Sequence, residues 1–435
     1  MKQSKLISML LITLMVCGWA LALLKDDSAE NEEYLRHVEM AEEYVQRGLY
    51  QKSIEEYDSA LAIRNTEDVW KCKLDSYERC YEENKKIYND YLNAAQTAVS
   101  YYSSNVEYLI TLANLYITRN EYLAAYKALE KAINNGMDDV SVNELLFDVT
   151  YAYEIKWKSY TDYRTCVNGY YAVCETGVWT YTGEDNSDTE FEKLFFAGDV
   201  GEDGIRVIES ESKACLINEN EVVQGFLNFK PEDAGYYSEG LVPICNNGIY
   251  GYYDSLGDLQ FGNYTYAGAF INGQAAVKKD NIWFLIDKEG NKVSEDTYED
   301  IVLNNGGIYI SDGVMIAKKD GYYKFYNGEE QYGSYDNVDV LTDDKIIAVC
   351  KDNKWGFVDI EGNELIAPVY AGAKSFSNGL AAVSNGEYWG FINTDGELVI
   401  DYIFYGADYF NSSGCCMVET GKGTNWQLIS LYINQ

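Results

Sequence analysis

A phrase of roughly 35 residues recurs from about Gly169 to the C-terminus, and recurrence at that length confines this region to an array of stacked modules. Two copies are clean. Gly379-Leu-Ala-Ala-Val383 is followed by Trp389-Gly390-Phe391-Ile392-Asn393-Thr394-Asp395-Gly396, and Lys345-Ile-Ile-Ala-Val349 by Trp355-Gly356-Phe357-Val358-Asp359-Ile360-Glu361-Gly362. The same register opens further copies at Gly169, Gly204, Gly240, Gly273, Gly313 and Gly414. At the aromatic offset these carry Trp179, Ala214, Tyr250, Trp283, Tyr323 and, after a short insertion, Trp426. An Asp or Asn follows four residues on at Asn218, Asp254, Asp287, Asn327, Asp359 and Asn393.

Within a copy, short alternating apolar and polar runs are separated by Asn-Gly, Asp-Gly or Glu-Gly, where glycine supplies the positive φ of tight turns. Each unit therefore reads as about three short strands. Such a unit cannot bury its own apolar face, so neighbours must stack. The aromatics Trp179, Tyr250, Trp283, Tyr323, Trp355, Trp389 and Trp426 are accordingly read as core between units.

These copies resemble the WG repeat family, on Lys354-Trp-Gly-Phe-Val-Asp359, Tyr388-Trp-Gly-Phe-Ile-Asn393 and, less closely, Ile249-Tyr-Gly-Tyr-Tyr-Asp254. The resemblance covers residues 160–435 as about eight units. Each closing segment places a Tyr nine residues before the next opening, as in Tyr264, Tyr370 and Tyr405. Tyr160 stands nine before Gly169, whereas the last copy has no closing segment. First and last units can thus share one blade and shut a ring, which removes open sheet edges. A β-propeller-like ring is favoured over an open β-solenoid.

Residues 26–159 carry a second repeat. Ala41, Tyr44, Gly48, Tyr50, Ser53, Tyr57 and Ala60 recur 72 residues later as Ala113, Tyr116, Asn120, Tyr122, Ala125, Leu129 and Ala132. The pattern resembles the tetratricopeptide repeat, a helix-turn-helix of about 34 residues, with a degenerate middle copy around Trp70 to Val99 and a terminal helix from about Val140 to Lys158. The resemblance implies a peptide groove lined by Leu35, Val38, Glu42, Val45, Glu107, Ile110, Asn114 and Ile117. Ile110 and Glu107 replace the cationic residues such domains use to clamp a carboxylate. An extended apolar or basic segment is the expected ligand.

Leu6 to Leu24 contains no charge and follows Lys2 and Lys5. A run of that length can span a bilayer, and the lysines favour a cytoplasmic N-terminus. Residues 1–25 are expected to be a signal anchor, with cleavage near Ala22, at Ala20-Leu-Ala22, as the alternative. Either places the bulk outside the cytoplasm. The fold class is α + β multidomain.

The net charge of -36, from 70 acidic and 34 basic residues, argues against nucleic-acid phosphates as a partner and against anionic lipid, leaving the N-terminal helix as the membrane contact. The ten cysteines contain no C-x-x-C, and His37 is the only histidine, read as a solvated helix residue. Buried thiols are expected, and no metal or cofactor. No Ser-His-Asp set, Walker loop or H-E-x-x-H is present. The expectation is a non-enzymatic, membrane-tethered scaffold for an unknown protein or peptide. A cell-envelope glycan-binding module, with Tyr and Trp as stacking platforms, is the alternative, and a glycan hydrolase a distant third.

Overall fold

The computed structural model describes residues 29–134, 136, 139–183, 193–211, 213–423 and 425–434. The expected signal anchor lies outside these residues; among those described, no helix is long and apolar enough to cross a membrane. The chain divides into two compact units, at residues 1–152 and 153–435.

The first unit is helical: α1 (residues 29–46), α2 (Tyr50–Ile63), α3 (Glu67–Glu83), α4 (Tyr88–Tyr101), α5 (Val106–Thr118), α6 (Tyr122–Asn134) and α7 (Val140–Thr150). Each helix from α2 onward packs on the next. Small residues seat the second helix of each pair at one spacing: Ser53, Tyr57 and Ala60 in α2, Tyr91, Ala95 and Ala98 in α4, Ala125, Leu129 and Ala132 in α6 are all buried. The middle pair escaped a fixed 36-residue count because α3 has 17 residues against 13 in α5. The second helices consequently begin 38 residues apart and then 34 (88 − 50 and 122 − 88).

The expected helix from Val140 to Lys158 ends instead at Thr150. Tyr153, Ile155 and Trp157 alternate with Glu154 and Lys156, a period-two pattern, and Tyr153–Ile155 is a strand.

Among the described residues the second unit contains eight antiparallel sheets, here called blades 1 to 8 in chain order. Most blades hold four strands, one more than the sequence reading gave, because the closing segment of each repeat supplies a two-residue first strand to the next blade. These first strands are Asp162–Tyr163, Phe196–Ala197, Asp233–Ala234, Tyr266–Ala267, Asp300–Ile301, Asn337–Val338, Gly372–Ala373 and Gly406–Ala407. Apolar clusters occupy the seams between successive blades. Examples are Tyr252, Phe270 and Ile286 between blades 3 and 4, and Phe357, Phe376 and Ile392 between 6 and 7.

Blade 8 closes the ring. Its strands Gly406–Ala407, Cys415–Gly421 and Asn425–Leu431 are joined by Tyr153–Ile155, with Tyr153 opposite Leu431 and Ile155 opposite Ile429. Tyr160 bridges Trp426 as Tyr370 pairs Trp355. Tyr171 and Val173 of blade 1 pack on Cys415, Met417 and Leu428 of blade 8. The closed ring displaces the open solenoid.

The repeat letters acquire physical reasons. A Cβ added to Gly390 would stand 2.5 Å from the Ile400 carbonyl oxygen, and one at Gly356 2.6 Å from that of Ile366. The ladder shifts register there, so the outer strand bulges over a position only glycine fits. The Asp or Asn four residues after the aromatic braces the following turn: Asp359 Oδ1 accepts from the Glu361 and Asn363 amides at 3.0 and 2.8 Å. Asn218, Asp254, Asp287 and Asn393 do the same. Asn327 departs, pairing instead with Glu330 around a two-residue turn.

Candidate functional site

The repeat aromatics sit at the margins of the inter-blade clusters. Tyr250 and Trp283 are buried, whereas Trp179, Tyr323, Trp355, Trp389 and Trp426 are half-buried. The centre is taken by the ring or leucine two residues later in most blades: Tyr181, Leu216, Tyr252, Phe325, Phe357, Phe391 and Leu428 are at most 2% exposed. In blades 3, 5, 7 and 8 the repeat aromatic leans across its own blade onto the third residue of the closing segment, and there the two residue types match. A Cβ on Gly372 would meet the Trp389 ring at 3.1 Å, and one on Gly406 the Trp426 ring at 2.8 Å. Where the aromatic is Tyr, that residue is Asp: Tyr250 Oη donates to Asp233 Oδ2 at 2.5 Å, and Tyr323 Oη to Asp300 Oδ2 at 2.7 Å. This pairing was open to inspection in the sequence.

Beyond these first strands lies the axis of the ring, since side chains there meet between blades that are not neighbours. Arg164 of blade 1 reaches Asp199 of blade 2 at 3.3 Å and Asp233 of blade 3 at 2.5 Å. Tyr409 of blade 8 donates to Asp339 of blade 6 at 2.8 Å, and the Lys374 ammonium of blade 7 lies 4.5 Å from the Tyr409 ring centre. Asp408 accepts from Thr165 at 3.0 Å and stands 3.5 Å from Lys374. A polar belt thus runs through blades 6, 7, 8, 1, 2 and 3. Sequence reasoning missed it because its members lie 34 (408 − 374) to 243 residues apart and the repeat does not preserve them.

Electrostatics in the belt are uneven. Burial pushes the Asp199 carboxyl up to about 6, against the pull of Arg164 and with the push of Asp233. Asp233 lies below the usual carboxylate range: burial raises it, but Arg164 and the Tyr250 hydroxyl outweigh that. Asp339 is raised by burial despite Lys374, the Ser375 amide and Tyr409. One guanidinium serves two carboxylates, so Asp199 is the less well compensated partner.

The expected groove residues fall on α1 and α5. Val38 and Val45 are spent in packing with Ala41, Tyr57 and Ala60, and Ile110 and Ile117 with Leu109, Ala113 and Leu129. Leu35, Glu42 and Asn114 are exposed, and Glu107 pairs with Lys71 at 2.5 Å. The two halves are connected by α3, whose Cys72, Asp75, Ser76, Glu78 and Arg79 line a cleft of about 410 Å³ with Val45, Tyr50 and Tyr57. Those α3 residues were missed because the middle repeat could not be aligned.

His37 is not solvated as expected: its side chain is 16% exposed and Nδ1 lies 2.5 Å from Glu56 Oε2, because the packing of α1 on α2 brings the two together. The nine described cysteines are thiols, seven of them buried. Among the described residues, no group of three or more His, Cys, Asp or Glu is placed to hold a metal ion.

Residues 355–389 and 389–422 match the family model described as WG containing repeat, which corresponds to parts of blades 6, 7 and 8. No curated protein sequence matches the chain. Among solved structures, the AfRom2 CNH domain is similar at 9% identity and a TM-score of 0.33, covering 52% of this chain and 90% of that one. The Myceliophteria thermophila Cps50 (Swd1) β-propeller domain is similar at 6% identity and a TM-score of 0.34, covering 64% and 99%.

Proposed function

We propose that the chain is a non-enzymatic scaffold that holds a protein or peptide partner. It is tethered to the membrane by residues 6–24, with both units outside the cytoplasm and a tetratricopeptide-like helical stack presenting the groove. The carrying observation is that the repeated polar and aromatic residues of the ring serve cohesion. The Asp and Asn side chains brace turns, Glu239 and Asp344 accept the Gly273 and Gly379 amides of the next blade at 3.0 and 2.7 Å, and the axial carboxylates face Arg164, Lys374 or Tyr409. What remains for outside molecules is surface, and the helical unit offers a cleft where Val45, Tyr50 and Tyr57 stand beside both signs of charge.

Capture from a membrane extract with the parent chain and with Glu42→Lys combined with Asp75→Lys tests this reading. A partner retained by the parent and lost from the variant supports it. Retention on a cell-wall fraction, unaffected by the double substitution, would replace it with glycan binding. Exposed aromatic side chains give glycan binding little support, being spread along the ring at Trp157, Tyr170, Phe195, Phe226, Tyr266, Tyr322 and Tyr405. Protease protection in intact cells, with the mass of the N-terminus, tests the anchor and its orientation.

A further inference from the structure

The seam between blades 8 and 1 joins the last blade of the chain to the first, and a cysteine stands on each side of it. The ladders define their positions. Cys166 lies three residues after Tyr163, which pairs Val173, as Phe376 lies three after Ala373, which pairs Val383. Cys415 lies three before Val418, which pairs Ala407, as Ile346 lies three before Val349, which pairs Val338. Cys166 is therefore to Cys415 across the closing seam what Phe376 is to Ile346 across the seam of blades 6 and 7. At that other seam the two backbones touch, the Phe376 amide donating to the Ile346 carbonyl at 3.0 Å, and both side chains join one apolar cluster.

Cys166 and Cys415 likewise join one cluster, with Tyr160, Tyr171, Val173, Met417 and Leu428. Volumes are exchanged between the seams: the small Cys166 replaces Phe376, and Tyr171 replaces Ala381. Tyr171 Oη lies 3.5 Å from the Cys415 carbonyl oxygen and accepts from Asn411 Nδ2 at 3.2 Å. Cys416 points elsewhere, its Sγ lying 3.2 Å from the Asp408 carbonyl oxygen. Of the other buried thiols, Cys174, Cys245 and Cys350 occupy equivalent positions in separate blades, Cys215 lies in blade 2 and Cys80 in α3.

We propose that Cys166 and Cys415 form a disulfide that locks the ring once the chain meets a thiol oxidant. The lock rests on the extracytoplasmic placement proposed above only for its occurrence in cells. The thiolate of one cysteine attacks a mixed disulfide on the other. One S–S bond forms between the two, and their two protons and two electrons pass to the oxidant, a low-molecular-weight or protein disulfide that leaves as two thiols. Such a bond joins residues 249 positions apart (415 − 166), a long loop whose closure restricts the unfolded chain strongly.

The test is to treat the purified full-length chain with oxidised glutathione, alkylate it, digest it and read cross-linked peptides by mass spectrometry. A Cys166–Cys415 peptide pair is expected, with faster migration on a non-reducing gel and an unfolding midpoint raised by roughly 5 °C that dithiothreitol reverses. Cys166→Ser and Cys415→Ser should each abolish the pair, and Cys416→Ser should keep it. Alkylation of both thiols after oxidation, or a pair that survives in Cys166→Ser, overturns the lock. Each variant's own melting transition checks that it has folded. The same chain alkylated directly in cells separates the two claims: a bond made in the tube but absent in cells refutes the compartment and leaves the seam chemistry standing.

Discussion

Replacing Asp359 by alanine removes the acceptor of two backbone amides in an exposed turn. The expected cost is about 1–2 kcal/mol, read from urea unfolding, because the turn then loses the two hydrogen bonds that hold it closed. Gly390→Ala acts differently, forcing a methyl group against the Ile400 carbonyl. A loss of about 1–3 kcal/mol is expected, while an unchanged midpoint would show that the bulge can widen. Asp199 supplies a prediction of opposite sign. Its folded pKa of about 6 exceeds the ordinary carboxylate value, so the folded chain holds a proton between about pH 4 and 6 that the unfolded chain releases. Ionised Asp199 therefore costs stability above that window and nothing below it. Asp199→Asn should melt higher than the parent at pH 7.5, by roughly 1–2 kcal/mol, and match it at pH 4. A variant that is less stable at pH 7.5 would mean that Arg164 needs both carboxylates.

At the scale of elements, the ring closes through three residues. A chain beginning at Tyr160 retains every repeat recognised in the sequence but lacks the Tyr153–Ile155 strand, and with it the pairing to Leu431, Ser430 and Ile429. A chain beginning at Tyr153 retains the whole pairing. The longer version should unfold in one cooperative transition, and the shorter at lower urea with a broadened transition. Identical transitions would place closure in the Tyr160–Trp426 bridge alone. The same elements account for what the sequence made visible. Spacing revealed eight units and the shared blade, because turn glycines and the Trp-Gly bulge must recur wherever the backbone repeats. The closing strand was hidden by the apolar helix before it, since Tyr153 and Ile155 continue a stretch that reads equally as one more turn of α7. The axial belt was hidden more thoroughly, because Arg164, Asp339, Lys374 and Asp408 occupy the same place in four different repeats and carry opposite signs of charge there.

For the whole molecule, a net charge of -36 makes self-repulsion a property of the fold, most of it carried by exposed carboxylates. Raising sodium chloride from about 10 to 150 mM shortens the Debye length from about 30 to 8 Å. The unfolding midpoint should therefore rise with salt, and a midpoint that falls would reveal that the staples between blades outweigh the repulsion. Ring and helices also use their acids differently. In the ring, carboxylates accept backbone amides at blade-to-blade contacts such as Glu202 to Glu239 and Asp344 to Gly379. In the helices they line open faces beside Lys71 and Arg79. A partner seated on the helices should accordingly show binding that weakens with salt over the range in which the ring becomes more stable.

The strand Tyr153–Ile155 leaves the ribosome some 270 residues ahead of its mate at Ile429–Leu431. Every intervening blade can form against its predecessor during synthesis, but the first edge stays unpaired until the strand Asn425–Leu431 has been made. Closure therefore works as a check on completeness. A nascent chain stopped anywhere short of the final hairpin keeps a sticky edge exposed, and is marked for chaperones and proteases by a defect at its beginning.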